Sequence, residues 1–240
     1  MKRSQAGDRG LRDLERRAAS GEVEAQVELL IARHRLDRLP EARLRLGAHL
    51  EDPAALVAAR EILGVAPKRM NLGTWIRRIG TPDLSTWERE LPWRELVQPV
   101  CVRVALASSE AALPVWTSAE WRENVDPNDT ELKLITSVHR DVKLWLAEPT
   151  AAAAQRVLGH AMRTSWSGIT AEAAVELVSI VCPPSLSTRR NPERELARSA
   201  ATVAESAART LEWSEAPKRE VEASLRDACR AAAIPYLLWS

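Results

Sequence analysis

The sequence predicts an all-α protein of about ten helices, arranged as helical hairpins that pack into one or two helical domains. Three observations predict this class. Apolar residues recur at helical spacing along most of the chain, glycines and prolines interrupt that spacing where helices would end, and no segment alternates apolar and polar residues as a strand would. A chain of 240 residues can bury one substantial core or two small ones.

The first quarter of the chain reads as four short amphipathic helices. Gly21 follows the first apolar stripe, where a left-handed residue commonly ends a helix. Pro40 begins the third helix, and Asp52 caps the fourth with Pro53 at its first helical position. Gly64 ends the fourth helix. This punctuation is typical of stacked helical hairpins.

The remainder of the chain continues in the same way. Helical segments are predicted at residues 72–79, 85–91, 92–113, 130–146, 150–162, 169–181, 192–213 and 217–233. Pro99 lies inside one of them and should kink or divide it. Residues 118–128 and 183–191 are predicted loops, and the apolar residues 234–239 are expected to dock as a tail. The sequence thus predicts a disordered tail at 1–10, a hairpin module at 11–66 and a helical domain at 67–240. The module and the domain are either separate or continuous.

Charge and composition exclude several classes of function. The net charge is +1, with 16 basic and 11 acidic residues over 1–80 and 8 basic and 12 acidic residues over 81–160. The basic excess is spread over helix faces and lacks the dense patch of a nucleic-acid site. No apolar run reaches the length of a membrane span, and the N-terminus lacks the apolar region of a secretory signal. Three well-separated cysteines favour a reducing cytoplasm.

No pattern predicts an enzyme. His139, Arg140 and Asp141 resemble the catalytic loop of a kinase, but Leu146 stands where that loop has a metal-binding asparagine. Helical spacing instead places Arg140, Asp141 and Lys143 on a solvated face. The four histidines lack metal-ligand spacing, and the chain has no nucleophile elbow or phosphate loop. The prediction is therefore a non-catalytic protein without a metal or cofactor.

The opening helices resemble a helical module of myxobacterial and planctomycetal proteins. The residues that carry the resemblance are Leu11, Leu14, Glu15, Arg16, Ala18, Ala19, Gly21, Glu22, Glu24, Ala25, Leu29, Leu30, Arg33, Arg43, Leu44, Leu46, Ala48, Leu50, Pro53, Ala54 and Ala55. Gly47 departs from the pattern, which has alanine there. The later helices resemble, more loosely, the all-helical immunity proteins of bacterial toxin systems. These resemblances imply a helical fold and transfer no functional residue.

One acidic segment is the candidate binding site. Residues 110–131 hold six acidic side chains and one basic side chain, with two tryptophans among them. The candidate residues are Trp116, Glu120, Trp121, Glu123, Asp126 and Asp129. In one interpretation the carboxylates steer a basic partner, such as a toxin domain, and the tryptophans anchor it. In the other, the acids cap helices and solvate a loop while Trp116 lies in the core.

The sequence therefore favours a cytoplasmic, non-catalytic protein that binds one protein partner. The first hypothesis is an immunity protein that neutralises a cognate bacterial toxin by direct binding. The alternative is a helical-repeat scaffold or adaptor that uses the face formed by residues 11–64. We expect neither a nucleic acid nor a membrane as partner, and an exposed helical face is also compatible with a homodimer.

Overall fold

The computed structural model confirms the all-α class. It describes residues 2–64, 70–79, 93–124, 126, 128–161, 169–182, 192–213 and 217–239. These residues form twelve α-helices and one π-helical turn, and no strand occurs among them. The chain divides into two compact units, which are described separately. The hairpin unit comprises Met1–Arg69 with Ile234–Ser240, and the larger unit comprises Met70–Ala233.

Four helices build most of the hairpin unit. They are α1 (Lys2–Ala19), α2 (Val23–Arg35), α3 (Glu41–His49) and α4 (Pro53–Leu63). Gly21 and Gly64 have φ angles of 88° and 64°, the left-handed backbone that ends α1 and α4 at little cost. The Asp52 carboxylate accepts a 2.8 Å hydrogen bond from the Ala55 amide and caps α4, as expected. Residues 2–10, expected as a tail, continue α1 because extending an existing helix is far easier than nucleating one.

The interior of the hairpin unit is built largely from small side chains. Four alanines of α4 are buried against α2 and α3, namely Ala54, Ala55, Ala58 and Ala59. Leu29 and Leu30 of α2 are also buried. The end of the chain contributes Ile234, Leu237 and Leu238, all buried, so the docking expected of this segment is confirmed. The segment docks as helix, because the last helix extends through Pro235 to Leu238.

The larger unit contains the remaining helices. They are α5 (Leu72–Arg77), α6 (Gln98–Trp116), α7 (Ala119–Asn124), α8 (Thr130–Ala147), α9 (Ala151–Ala161), α10 (Ile169–Val181), α11 (Pro192–Trp213) and α12 (Lys218–Leu238), whose last residues belong to the hairpin unit. A π-helical turn, Trp93–Val97, leads directly into α6, so the helix predicted over 92–113 changes from π to α geometry close to Pro99 without a break. The helix predicted at 85–91 and the loop predicted at 183–191 lie outside the described residues.

Helices α6 and α11 form the centre of the larger unit, with α10 packed against both. The stretch Glu95–Trp116 is long and apolar enough to cross a membrane, but 67% of its most apolar window is buried inside the protein, as in a core helix. Gln98 is buried at the start of α6, where its amide nitrogen donates to the Ile180 and Val181 carbonyls at 2.9 and 3.1 Å. These bonds tie the start of α6 to the end of α10.

Candidate functional site

The acidic segment runs from the end of α6, through α7, to the start of α8. The prediction that residues 118–128 form a loop is wrong for its first half, because Ala119–Asn124 is helical. The Ser118 hydroxyl accepts a 3.2 Å hydrogen bond from the Trp121 amide at the start of this helix. Trp121 is its one buried residue, so burial of the indole holds a short helix that the polar sequence would not favour.

Trp116 is a core residue. Its side chain is fully buried at the end of α6, and its indole Nε1–H donates to Thr210 Oγ1 of α11 at 3.0 Å. Trp121 is only 3% exposed. The interpretation in which these two tryptophans anchor a partner is therefore wrong, and the interpretation that places Trp116 in the core is confirmed. A large ring beside the main core buries more apolar area when it packs into that core than when it remains at the surface.

Asp126 is a helix cap. The side chain is buried, Oδ1 accepts a hydrogen bond from the Thr130 amide at 2.8 Å, and Oδ2 accepts one from the Leu132 amide at 2.9 Å. Both amides lie in the first turn of α8, where backbone donors lack a helical partner. Asp126 is therefore committed to α8 and is not available to a partner.

Asp129 forms a two-bond ion pair. Arg122 donates from Nε to Oδ1 at 2.6 Å and from Nη2 to Oδ2 at 2.8 Å. These hydrogen bonds lower the pKa of Asp129 and raise that of Arg122. The pair joins α7 to the residue that precedes α8 and neutralises Arg122, the one basic side chain of residues 110–131.

Glu120 and Glu123 are the candidate residues that remain exposed to solvent. They stand three positions apart on α7, so their side chains share a face of the helix. Neither carboxylate has an ion-pair partner within the described part of the chain. The other two acids of the segment differ, because Glu110 pairs with Lys143 at 2.5 Å and burial raises the pKa of the partly buried Glu131.

A buried serine–histidine pair was not predicted from the sequence. Ser109 Oγ and His139 Nε2 are 2.7 Å apart, and both side chains are buried between α6 and α8. The Ser109 hydroxyl donates to the Leu106 carbonyl at 3.0 Å, so the imidazole Nε2–H is assigned as donor to the serine oxygen. Burial lowers the pKa of His139 to about 4, which keeps the ring neutral near pH 7. The serine proton is thus directed away from the histidine, and the pair has a structural role, since it satisfies two buried polar side chains.

The string that resembles a kinase loop has a different role. Asp141 is buried, and its Oδ2 lies 2.8 Å from His160 Nε2 on α9, so the prediction that Asp141 faces solvent is wrong. Burial disfavours the ionised carboxylate, but hydrogen bonds from His160 and Arg140 outweigh that effect and lower its pKa. The pair ties α8 to α9. No spacing in the sequence could reveal it, because the two residues lie nineteen positions apart on different helices.

Burial disfavours the reactive thiolate form of the three cysteines. Burial raises the pKa of Cys229 to about 11 and raises the pKa of Cys101 and Cys182 above the usual range. Among the described residues, no group of three acidic, histidine or cysteine side chains is placed to hold a metal ion.

Comparison with known proteins assigns this chain to no family. The chain matches no protein-family model, no curated protein and no solved structure. The site described above is therefore interpreted from its own chemistry.

Proposed function

We propose that this chain is a non-catalytic, cytoplasmic protein-binding protein, and specifically an immunity protein that neutralises a cognate bacterial toxin by direct binding. One observation carries the proposal: Glu120 and Glu123 present two exposed carboxylates on one face of α7, and neither has an ion-pair partner among the described residues. Exposed charges of one sign steer an oppositely charged partner into place. A toxin that cleaves nucleic acid has the basic surface that such carboxylates would meet.

The binding site is smaller than the sequence indicates. Asp126 caps α8 and Asp129 is held by Arg122, so both shape the segment from within. Trp116 and Trp121 support α7 from the core. The contact we propose therefore rests on Glu120 and Glu123, which a rigid support holds in position.

The polar pairs of the larger unit support a non-catalytic role. The Ser109 hydroxyl donates to a backbone carbonyl, and His139 is buried and neutral. Asp141 and His160 likewise satisfy each other across two helices. A nucleophile needs a base that accepts its proton and a path to substrate, and the Ser109–His139 pair offers neither.

A scaffold that binds through the hairpin unit is the second candidate. Four large hydrophobic side chains are exposed in the described residues, and three of them belong to this unit: Val23, Leu36 and Val57. Exposed apolar side chains are the usual anchors of a protein interface, which favours a partner on this unit.

The test uses the tagged full-length chain purified from the cells that naturally produce it. Glu120→Lys/Glu123→Lys should retain its fold and lower the association rate with the partner by about tenfold. The matched control Glu24→Lys/Glu28→Lys makes the same charge change on two exposed glutamates of α2 and should bind normally.

The result separates the two candidates. A single partner in equal amount, with a toxic activity that the chain suppresses, is the outcome expected of an immunity protein. Loss of binding in the α2 control, with normal binding by the α7 variant, would instead favour the scaffold. Equal binding by both variants would remove α7 as the site.

A further inference from the structure

The end of the chain is held in the hairpin unit by two arginines. Arg33 Nη1 donates to the Leu238 carbonyl at 3.1 Å, and Arg43 Nη1 donates to the Tyr236 carbonyl at 3.4 Å. Both carbonyls lie in the last turn of α12, where backbone acceptors lack a partner within the helix. The cationic side chains also face the negative end of the helix dipole. The hairpin unit therefore caps a helix C-terminus from outside that helix.

Each arginine also contacts an aromatic ring of the segment it caps. The Arg33 guanidinium carbon lies 5.9 Å from the centre of the Trp239 ring, and that of Arg43 lies 5.4 Å from the centre of the Tyr236 ring. These distances are typical of cation–π contacts. Glu15 lies 3.6 Å from Arg33 and orients it. Arg33 on α2 and Arg43 on α3 therefore each contact both a backbone carbonyl and an aromatic ring of this segment.

A gap above Gly47 receives Leu238, the second of the two leucines between Tyr236 and Trp239. A Cβ atom at this position would lie 3.0 and 3.1 Å from the two methyl carbons of Leu238 and 3.1 Å from the Cβ atom of Ala55. Leu238 is 1% exposed, so its side chain fills the space that a glycine leaves open. Gly47 is also the position at which the chain departs from the module that it resembles, where alanine is expected. The departure matches the leucine that the site must admit.

We propose that this face of the hairpin unit is a recognition surface for the C-terminal end of an apolar–aromatic helix, and that the chain occupies it with its own residues 234–239. The ligand is a helix whose last turn offers free carbonyls, a leucine for the gap above Gly47, and aromatic rings for Arg33 and Arg43. The proposal concerns other residues than Glu120 and Glu123 and is independent of the toxin-binding role.

The intact chain masks this surface. A ligand tethered to its own site experiences an effective concentration in the millimolar range, so a free helix with the same residues competes poorly. A groove of about 390 Å³ beside Trp239 remains open, lined by Glu15, Ala18 and Leu29 among others. It leaves room for a ligand that extends past the last residue of this segment.

The first experiment measures binding of a labelled peptide with the sequence of residues 231–240 to the full-length chain, by fluorescence anisotropy. Leu238→Asp should release the chain's own segment and bind the peptide at least about tenfold more tightly than the unchanged protein does. Leu144→Asp makes the same change at an exposed leucine of the larger unit and should bind as the unchanged protein does. Adding Gly47→Ala to Leu238→Asp should weaken binding of the peptide at least about tenfold, because the added methyl group narrows the space that receives the peptide's leucine.

The second experiment does not depend on the fold of Leu238→Asp. Hydrogen exchange is measured in Gly47→Ala, with Gly159→Ala as control, since among the described residues a Cβ at Gly159 would meet no atom within 4 Å outside its own stretch of helix. We expect the amides of residues 236–239 to exchange at least about tenfold faster in Gly47→Ala than in the unchanged protein. The same amides should exchange at the unchanged rate in Gly159→Ala. Unchanged exchange there would overturn the role of Gly47, and a folded Leu238→Asp chain that binds no peptide would overturn the recognition surface.

Discussion

The two units of this protein distribute polar and apolar side chains in opposite ways. Among the described residues, ten polar or charged side chains are buried, and nine of them belong to the larger unit. Four large hydrophobic side chains are exposed, and three of them belong to the hairpin unit. The larger unit thus keeps polar groups inside, and the hairpin unit keeps apolar groups outside.

This difference indicates that the two units have different roles. A buried polar group costs free energy unless its partner is in place, so the pairs of the larger unit specify one arrangement of its helices. Exposed apolar groups gain free energy only when something covers them, so the hairpin unit is suited to contacts. The larger unit should therefore be sensitive to loss of single partners, and the hairpin unit more tolerant. The following predictions test this contrast.

The largest effect is expected at Trp116. Trp116→Ala should lower the free energy of unfolding by about 3–5 kcal/mol, because it opens a cavity and leaves Thr210 without its donor. Urea denaturation followed by circular dichroism measures the loss. Trp116→Phe keeps most of the ring and should cost about 1–3 kcal/mol. Leu144→Ala, at an exposed site, should change stability by less than about 0.5 kcal/mol, and an equal loss there would contradict the contrast.

The next effect is a dependence of stability on pH. His139 has a pKa of about 4 in the folded protein, against about 6.5 in the unfolded chain. The unfolded state therefore binds more protons between these values, and stability that is complete above about pH 6.5 is lost as the pH falls toward 4. The loss should approach about 3 kcal/mol. His139→Phe should flatten this slope in denaturation curves taken from pH 7 to 4, and an unchanged slope would assign it to other groups.

A smaller effect is expected from the cap of α8. Asp126→Ala removes the acceptor of two backbone amides and should cost about 1–2 kcal/mol. Thermal denaturation of the full chain measures it. Glu123→Ala, on the exposed face of α7, is the control and should be nearly neutral. A neutral Asp126→Ala would show that these two hydrogen bonds contribute no net stability.

The smallest effect is expected in the hairpin unit. Arg43→Met keeps the length of the side chain but removes the hydrogen bond to the Tyr236 carbonyl and the contact with its ring, at a cost of about 1 kcal/mol. Arg60→Met, at an exposed position of α4, should change urea stability much less. If Arg43→Met cost as much as Trp116→Ala, the hairpin unit would be as intolerant as the larger one.

The candidate site shows where inference from sequence fails. The sequence gives the charges of residues 110–131 but leaves two interpretations of their roles open, because the same carboxylate can cap a helix, pair with an arginine or face solvent. Asp126 and Glu123 stand three positions apart in one acidic run, yet the first is buried and the second is exposed. Only the tertiary structure distinguishes them.

The sequence by itself determined the helical class and most of the helix ends, since spacing, caps, glycine and proline act locally. Only the tertiary structure decided which polar groups meet. Ser109 with His139, Asp141 with His160 and Arg43 with the Tyr236 carbonyl join residues on different helices. Local periodicity states which face of a helix is apolar, but the partner across that face depends on how the helices pack.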